Sequence, residues 1–209
     1  MSDFSELSIR QFLSTLASSA PTPGGGTAAA IAGATGASLT EMVAALTLSR
    51  EKFAPVHDAM RSIALAAQTA REEFLDLARE DSEAYDAVVA ARRLARETEE
   101  EKRVRARAIE SANRLATEVP MRTARAAARL LAALPELVEK GNPNAFSDAG
   151  AAALMLSAAA EGALLNVGIN LPGISDAAFI DEMRREAAAI QAETQRLRSS
   201  ILAEVVKRF

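Results

Sequence analysis

The composition of this chain excludes several classes of protein. Its 209 residues contain no cysteine, which excludes disulfide bonds and thiolate metal ligands. A net charge of -4 argues against a surface for nucleic acid or an anionic membrane. Hydrophobic residues make up 49% of the chain and aromatic residues only 4%, so we expect a core of closely packed, alanine-rich helices. The length suits a single domain over residues 1–209, and the lack of a basic-then-apolar leader predicts a cytoplasmic protein.

A glycine-rich segment follows a short amphipathic helix that is predicted over residues 8–19. The segment reads PTPGGGT and ends at Thr27. Its prolines and glycines predict a shaped loop that delivers a helix beginning at Thr27. Successive glycine N–H groups at a helix N-terminus can hold an anion or a polar ring, although a flexible turn without a ligand explains the same residues. The candidate binding residues in this segment are Pro23, Gly24, Gly25 and Gly26.

A long helix is predicted over residues 55–94, and one residue in its apolar stripe is a carboxylate. Asp81 stands where the three- and four-residue spacing requires an apolar side chain. Burying a carboxylate costs several kcal/mol unless it is paired or hydrogen-bonded, so Asp81 indicates a lined cavity. An aspartate that fixes helix register, or one at a solvent-filled break, remains an equal alternative. Tyr85 lies one turn later on the same stripe.

The rest of the chain also shows helical patterns. Residues 98–101 form a T-x-x-E capping box, and Pro120 is expected to kink or restart the helix that follows. Further helices are predicted over residues 121–134, 136–140 and 176–207. No alternating strand pattern occurs, so the predicted fold is an all-α bundle of about six or seven helices, several of them long, without a β-sheet.

Two apolar stretches, residues 27–49 and 149–170, are long enough to require a comparison with membrane spans. Each contains a glutamate, Glu41 or Glu161, and each is rich in alanine and glycine instead of leucine and phenylalanine. Insertion of such segments into a bilayer is poorly driven. They are interpreted as buried core helices, and no membrane partner is expected.

A second polar loop, residues 141–148, precedes the apolar helix predicted from Ala149. Ser147 or Asp148 can cap that helix, which explains either residue taken singly. Together with Asn142 and Asn144, they provide more donors and acceptors than a cap requires. Near the other end of the helix, two further asparagines lie one turn apart, and buried asparagines need a backbone or ligand partner. These are Asn166 and Asn170.

The residue types restrict the chemistry. His57 is the only histidine, which excludes a di-iron site with Glu-x-x-His pairs and opposes a Ser/His/Asp triad. No metal site is predicted. Carboxylates, hydroxyls and amides beside a glycine-rich helix entry favour proton transfer on a bound organic molecule.

Several motifs resemble the formiminotransferase-cyclodeaminase and methenyltetrahydrofolate cyclohydrolase family. They are SSAPTPGGG at residues 18–26, DSEAYDAV at 81–88, TEEEK at 98–102, TEVP at 117–120, GNPNAFSDAG at 141–150 and LNVGIN at 165–170. The resemblance implies an all-helical folate enzyme, a homodimer, with no cofactor beyond the tetrahydrofolate substrate. It implies either hydration of 5,10-methenyltetrahydrofolate to 10-formyltetrahydrofolate or cyclodeamination of 5-formiminotetrahydrofolate with loss of ammonia. Of the two reactions, hydration is the first prediction, because the chain lacks a formiminotransferase domain and is more similar to stand-alone cyclohydrolases.

The hypothesis for residue roles follows from these motifs. Asp81 is the first candidate for proton transfer and Asp148 the second. The predicted substrate-binding residues are Pro23, Gly24, Gly25, Gly26, Tyr85, Asn142, Asn144, Ser147, Asn166 and Asn170. A non-catalytic helical scaffold or ligand-binding module is the alternative from a different class, since long helices with heptad-like stripes suit it as well.

Overall fold

A computed structural model describes residues 6–208, and the described part of the chain is helical, without a β-strand. The seven α-helices are α1 (Ile9–Leu16), α2 (Gly25–Leu48), α3 (His57–Arg92), α4 (Glu99–Leu131), α5 (Leu134–Lys140), α6 (Phe146–Asn170) and α7 (Ala177–Val206). Three short 3-10 turns connect them, at Glu51–Val56, Pro143–Ala145 and Leu171–Gly173. The all-α prediction is therefore confirmed.

Helix α2 lies at the centre of the bundle, packed between α3 and α6, and α4 contacts both of these neighbours. Small residues make this close packing possible. A Cβ atom at Gly36 would lie 2.8 Å from Leu156, and one at Gly33 would lie 2.5 Å from the Phe74 ring. Gly25 faces Asn166 and Gly36 faces Ala152, so α2 and α6 run antiparallel. This places the start of α2 beside the end of α6.

Three predicted helix boundaries are wrong. Helix α2 begins at Gly25 instead of Thr27, so two of the three glycines lie inside its first turn. Helix α4 continues through Pro120 without a restart. Helix α6 begins at Phe146, and its N-cap residue, Ala145, makes no side-chain capping bond. The capping box at Thr98 is confirmed, since its side chain accepts a hydrogen bond from the Glu101 backbone N–H.

Helix α2 and the segment Pro143–Gly173 are both long and apolar enough to cross a membrane by length and composition, with mean hydropathies of 1.4 and 1.6. About half of each apolar window is buried inside the bundle, 50% for the first and 44% for the second. Both form part of the central packing, and each keeps an outward face that the rest of the described chain leaves uncovered.

Candidate active site

A cleft of about 400 Å³ opens where the start of α2 meets α3, α4 and the end of α6. Its walls bring together most of the residues that the sequence predicted for the glycine segment, for α3 and for the end of α6. The lining residues are Pro21, Thr22, Gly24, Gly25, Gly26, Asp81, Tyr85, Val88, Arg92, Asn113, Ala116, Asn166, Ile169 and Asn170. The cleft thus brings together the glycine segment, a part of α3 that lies more than 50 residues later in the sequence, and the end of α6 near residue 170.

Asp81 is the only carboxylate among the described residues that line this cleft. Thr27, which is fully buried, donates from Oγ1 to Oδ2 of Asp81 at 2.9 Å, and the same Oγ1 lies 3.2 Å from Oγ of Ser82. Burial raises the pKa of Asp81 above its ordinary value of 3.8, and hydrogen bonds from the Thr27 side chain and backbone oppose that rise. A raised pKa makes the ionised carboxylate a stronger proton acceptor than that of an exposed aspartate.

The N-terminus of α2 faces the same carboxylate. Gly24 is the N-cap residue and provides no side-chain capping bond. The backbone N–H of Thr27 is bonded to Asp81, which leaves the N–H groups of Gly25 and Gly26 available to a ligand. Gly26 lies against Asp81 with no side chain between them. The arrangement combines a proton acceptor with the positive end of a helix dipole.

Three asparagine side chains form the opposite wall, and each donates its amide N–H to a backbone carbonyl. Asn166 donates to Gly162 at 2.9 Å, Asn170 to Ala116 at 2.6 Å, and Asn113 to Gly173 at 2.6 Å. Within residues 6–208, none of the three Oδ1 atoms has a protein donor. These carboxamide oxygens can therefore accept hydrogen bonds from the N–H groups of a ligand.

The structure does not bring the second polar loop into the cleft. Asn142 is held at the far end of α2, where its backbone N–H donates to Oγ1 of Thr47 at 2.8 Å. Thr47 lies 21 residues beyond Gly26, a rise of about 30 Å along a helix. Asn144 belongs to the turn that Asn142 caps. Ser147 and Asp148 lie in the first turn of α6 without forming the predicted cap.

Pro23 is buried and is also not among the residues that line the cleft. The residues that sequence reasoning missed are Thr27, Ser82, Arg92 and Asn113. Thr27 directly follows the glycines and Ser82 directly follows Asp81, so their positions in the motifs were a usable signal. Arg92 and Asn113 carried no such signal, because only the packing of α3 against α4 brings both of them to the cleft.

The chain resembles known proteins over most of its length. Residues 8–189 match the family model described as formiminotransferase-cyclodeaminase. The chain belongs to this family. A methenyltetrahydrofolate cyclohydrolase of Methylorubrum extorquens is 41% identical over 199 residues, which cover 95% of each chain. The resemblance predicted from the motifs is therefore confirmed.

Other members of the formiminotransferase-cyclodeaminase family match as well. The crystal structure of a formiminotetrahydrofolate cyclodeaminase from Thermotoga maritima superposes with a TM-score of 0.87 at 32% identity, covering 97% of this chain and 98% of that one. The formimidoyltransferase-cyclodeaminase of Rattus norvegicus is 32% identical over 192 residues, 91% of this chain but 36% of the rat protein. The chain thus spans about a third of the length of the rat protein.

Proposed function

We propose that this protein is a methenyltetrahydrofolate cyclohydrolase that adds water to 5,10-methenyltetrahydrofolate and releases 10-formyltetrahydrofolate. The observation that carries the proposal is the partly buried Asp81 carboxylate, held by Thr27 at the N-terminus of α2 in a cleft of suitable size. The identity of 41% to a cyclohydrolase over 95% of both chains supports the choice of reaction.

Asp81 is proposed to act as the general base. The methenyl bridge is an amidinium cation whose central carbon is electrophilic, and a nearby carboxylate both attracts this cation and accepts a proton from the attacking water. A C–O bond forms and a neutral tetrahedral adduct results. Asp81 then returns that proton to N5 as the C–N5 bond breaks, and the hydroxyl proton leaves to solvent as the formyl C=O forms on N10. The net reaction consumes water and releases one proton.

The other walls of the cleft suit the rest of the substrate. The free N–H groups at the start of α2 can donate to the hydroxyl oxygen of the adduct. The Oδ1 atoms of Asn113, Asn166 and Asn170 can accept from the N–H groups of the pterin ring. Tyr85 is partly exposed at the edge of the cleft, where its ring can pack against the aminobenzoyl group.

Cyclodeamination of 5-formiminotetrahydrofolate is the second candidate. The similarity to the Thermotoga maritima cyclodeaminase, which covers 98% of that chain, favours it. In that reaction N10 attacks the carbon of the protonated formimino group, and the proton that N10 loses completes the departing ammonia as the methenyl cation forms. Asp81 would then accept the N10 proton and deliver it to the leaving nitrogen, so the same site serves both reactions.

The experiment is an assay of methenyl absorbance with three proteins: the wild type, Asp81→Asn and the control Asp86→Asn. Asp86 lies on the same helix but is exposed outside the cleft, so the control makes the same chemical change at a position that does not contact the substrate site. We expect the wild type and the control to accelerate hydrolysis equally and Asp81→Asn to lose at least about 100-fold. Release of ammonia from 5-formiminotetrahydrofolate, without hydrolysis of the methenyl compound, would favour the second candidate. Absence of both reactions would favour the non-catalytic module.

We also propose that the protein is a homodimer that pairs through the outward faces of α2 and α6. Both helices are apolar on all sides, a pattern typical of helices that are buried all round. The exposed positions form neighbouring stripes on the antiparallel pair. They include Thr35, Ser38, Met42, Ala45 and Leu46 on α2, and Leu154, Ala158, Leu165 and Ile169 on α6.

Beyond Asp148 in the first turn of α6, the outward faces also lack free charge. Glu41, the only ionisable residue of α2, pairs with Arg71 of α3. Glu161 of α6 pairs with Arg198 of α7 at 3.8 Å. An uncharged apolar surface with small residues suits a second copy of itself, whereas an anionic membrane would favour lysine and arginine.

Sedimentation tests the dimer. We expect the wild type to sediment at twice its mass of 22.0 kDa. Met42→Glu and Leu154→Glu should shift it to monomer, while Leu65→Glu, an exposed leucine of α3, should leave the dimer intact. A monomeric wild type would contradict this part of the proposal without affecting the catalytic part.

A further inference from the structure

One end of the cleft carries a positive charge that the proton-transfer mechanism does not use. Arg92 lines the cleft at the last residue of α3, and it is the only cationic residue among the described lining residues. Within residues 6–208, its guanidinium has no carboxylate partner. Elsewhere on α3 and α4, Arg79, Arg114 and Arg122 are instead paired with glutamate or aspartate.

Arg92 and Asp81 mark opposite ends of one helical face. Asp81, Tyr85, Val88 and Arg92 follow one another on α3 at spacings of four, three and four residues, so they share one face of the helix. The 11 residues from Asp81 to Arg92 correspond to a rise of about 16 Å. The cleft therefore has a carboxylate at one end, a tyrosine and a valine in the middle, and a guanidinium at the other end.

Helix α4 contributes a second positive charge near Arg92. Arg105 donates from Nε and Nη2 to the backbone carbonyl of Arg92, at 3.3 and 3.1 Å. This places a second guanidinium beside the end of α3. Because Arg105 is already engaged by that carbonyl, the Arg92 side chain is the one that remains free to bind an anion in the cleft.

From this polarity we infer that Arg92 binds the glutamate carboxylates of the folate substrate and sets the direction in which the substrate lies. The inference rests on the proposed function. Tetrahydrofolate has the same order of chemistry along its length: a cationic methenyl bridge beside the pterin, an aromatic aminobenzoyl group, and an anionic glutamate. With the bridge at Asp81, the aromatic ring lies along Tyr85 and Val88 and the carboxylates reach Arg92. The reverse orientation would place carboxylates against Asp81.

A purely structural role for Arg92 is the competing explanation, because a cation in the last turn of a helix interacts favourably with the helix dipole. That role predicts a change in thermal stability that does not depend on the substrate. A role in binding predicts that the effect of Arg92 disappears when the substrate loses its carboxylates. The two explanations are therefore separated by changing protein and substrate together.

The test is a cycle of two proteins and two substrates. The substrates are 5,10-methenyltetrahydrofolate and its derivative with both glutamate carboxyls converted to carboxamides. For the natural substrate, we expect Arg92→Gln to raise KM about 10-fold or more, the usual range for a lost charge-assisted hydrogen bond, with kcat within about twofold. For the diamide, the wild type should already show the raised KM, and Arg92→Gln should add nothing.

Arg93→Gln is the matched control. Arg93 is the adjacent exposed arginine, it does not line the cleft, and its loss changes the net charge by the same amount. We expect its KM values to equal those of the wild type. Three results would each overturn the inference. They are a KM of Arg92→Gln equal to that of the wild type with the natural substrate, a KM raised equally in Arg93→Gln, and a KM raised by Arg92→Gln to the same extent with both substrates. If the wild type converts neither substrate, the proposed function fails and the inference fails with it.

Discussion

Gly26 and Asp81 lie so close that a Cβ atom added at residue 26 would be 2.2 Å from Oδ1 of Asp81 and 2.7 Å from its Cγ. No side chain other than hydrogen fits between the helix start and the carboxylate. The glycine at this position is therefore a requirement of the site and not only of the loop, since it allows the carboxylate to lie directly against the first turn of α2.

We predict that Gly26→Ala reduces kcat/KM by at least about 100-fold, because the added methyl group displaces the proposed general base from its position beside Thr27. Gly168→Ala is the control. Gly168 lies inside α6, and a Cβ atom there would meet no other atom within 4 Å. The control should keep wild-type activity and gain about 0.5–1 kcal/mol in the free energy of unfolding. Assays with 5,10-methenyltetrahydrofolate and urea titrations measure the two effects, and a fully active Gly26→Ala would contradict the role assigned to Asp81.

The raised pKa of Asp81 predicts a pH dependence of catalysis. The general base must be ionised, so kcat/KM should fall as the pH falls through the pKa of Asp81 in the free enzyme. Because burial raises that pKa above 3.8, the acid limb should lie at a higher pH than an exposed aspartate would give. The measurement is a pH profile of kcat/KM after subtraction of the uncatalysed rate. An acid limb at or below the ordinary value would show that Asp81 is not the group that titrates.

The same shift predicts how Asp81→Asn changes stability. An acid with a raised pKa in the folded state binds its proton more tightly folded than unfolded, so its favourable contribution is present at low pH and is lost as the pH rises through the folded pKa. The neutral amide in Asp81→Asn does not titrate, so the variant does not lose stability in this way as the pH rises. We therefore expect the Tm of Asp81→Asn relative to the wild type to be higher at pH 8 than at pH 4. A difference that is constant over this range would contradict the pKa shift.

Thr27 is expected to tune the base through its hydroxyl. Its Oγ1 donates to Asp81 at 2.9 Å and favours the ionised carboxylate. In Thr27→Val, a substitution of nearly the same shape, the pKa of Asp81 should rise further and the acid limb of kcat/KM should move to higher pH. Thr27→Ser keeps the donor and should restore the wild-type profile. Loss of activity without movement of the limb would instead indicate a packing defect.

Local spacing in the sequence was sufficient to predict part of this site. Asp81 and Tyr85 share a helical stripe, and Asn166 and Asn170 lie one turn apart, so their common faces follow from helical periodicity. The contact between Thr27 and Asp81 depends on how α2 packs on α3, which no local pattern contains. The second polar loop misled the prediction because it adjoins α6 in sequence. Helix α6 has 25 residues, about 37 Å, and its two ends lie at opposite ends of the bundle.

Pro120 explains the position of Asn170, a cleft residue for which the sequence left a backbone partner and a ligand partner both open. A proline inside a helix leaves the carbonyl four residues earlier without its backbone donor, and here that carbonyl belongs to Ala116. Asn170 donates to it from Nδ2 at 2.6 Å, so the end of α6 replaces the hydrogen bond that α4 lacks. The asparagine thereby fixes one wall of the cleft against another.

A double-mutant cycle can measure how far the Asn170 side chain takes the place of the missing backbone donor. In the wild-type background, Asn170→Ala should lower the free energy of unfolding by about 1–3 kcal/mol, because the partly buried Ala116 carbonyl loses its donor. In the Pro120→Ala background, the restored backbone N–H can reach that carbonyl, and Asn170→Ala should cost less by about 1 kcal/mol or more. Urea denaturation of the four proteins gives the coupling energy. Equal costs of Asn170→Ala in both backgrounds would show that the two donors do not compete for the Ala116 carbonyl.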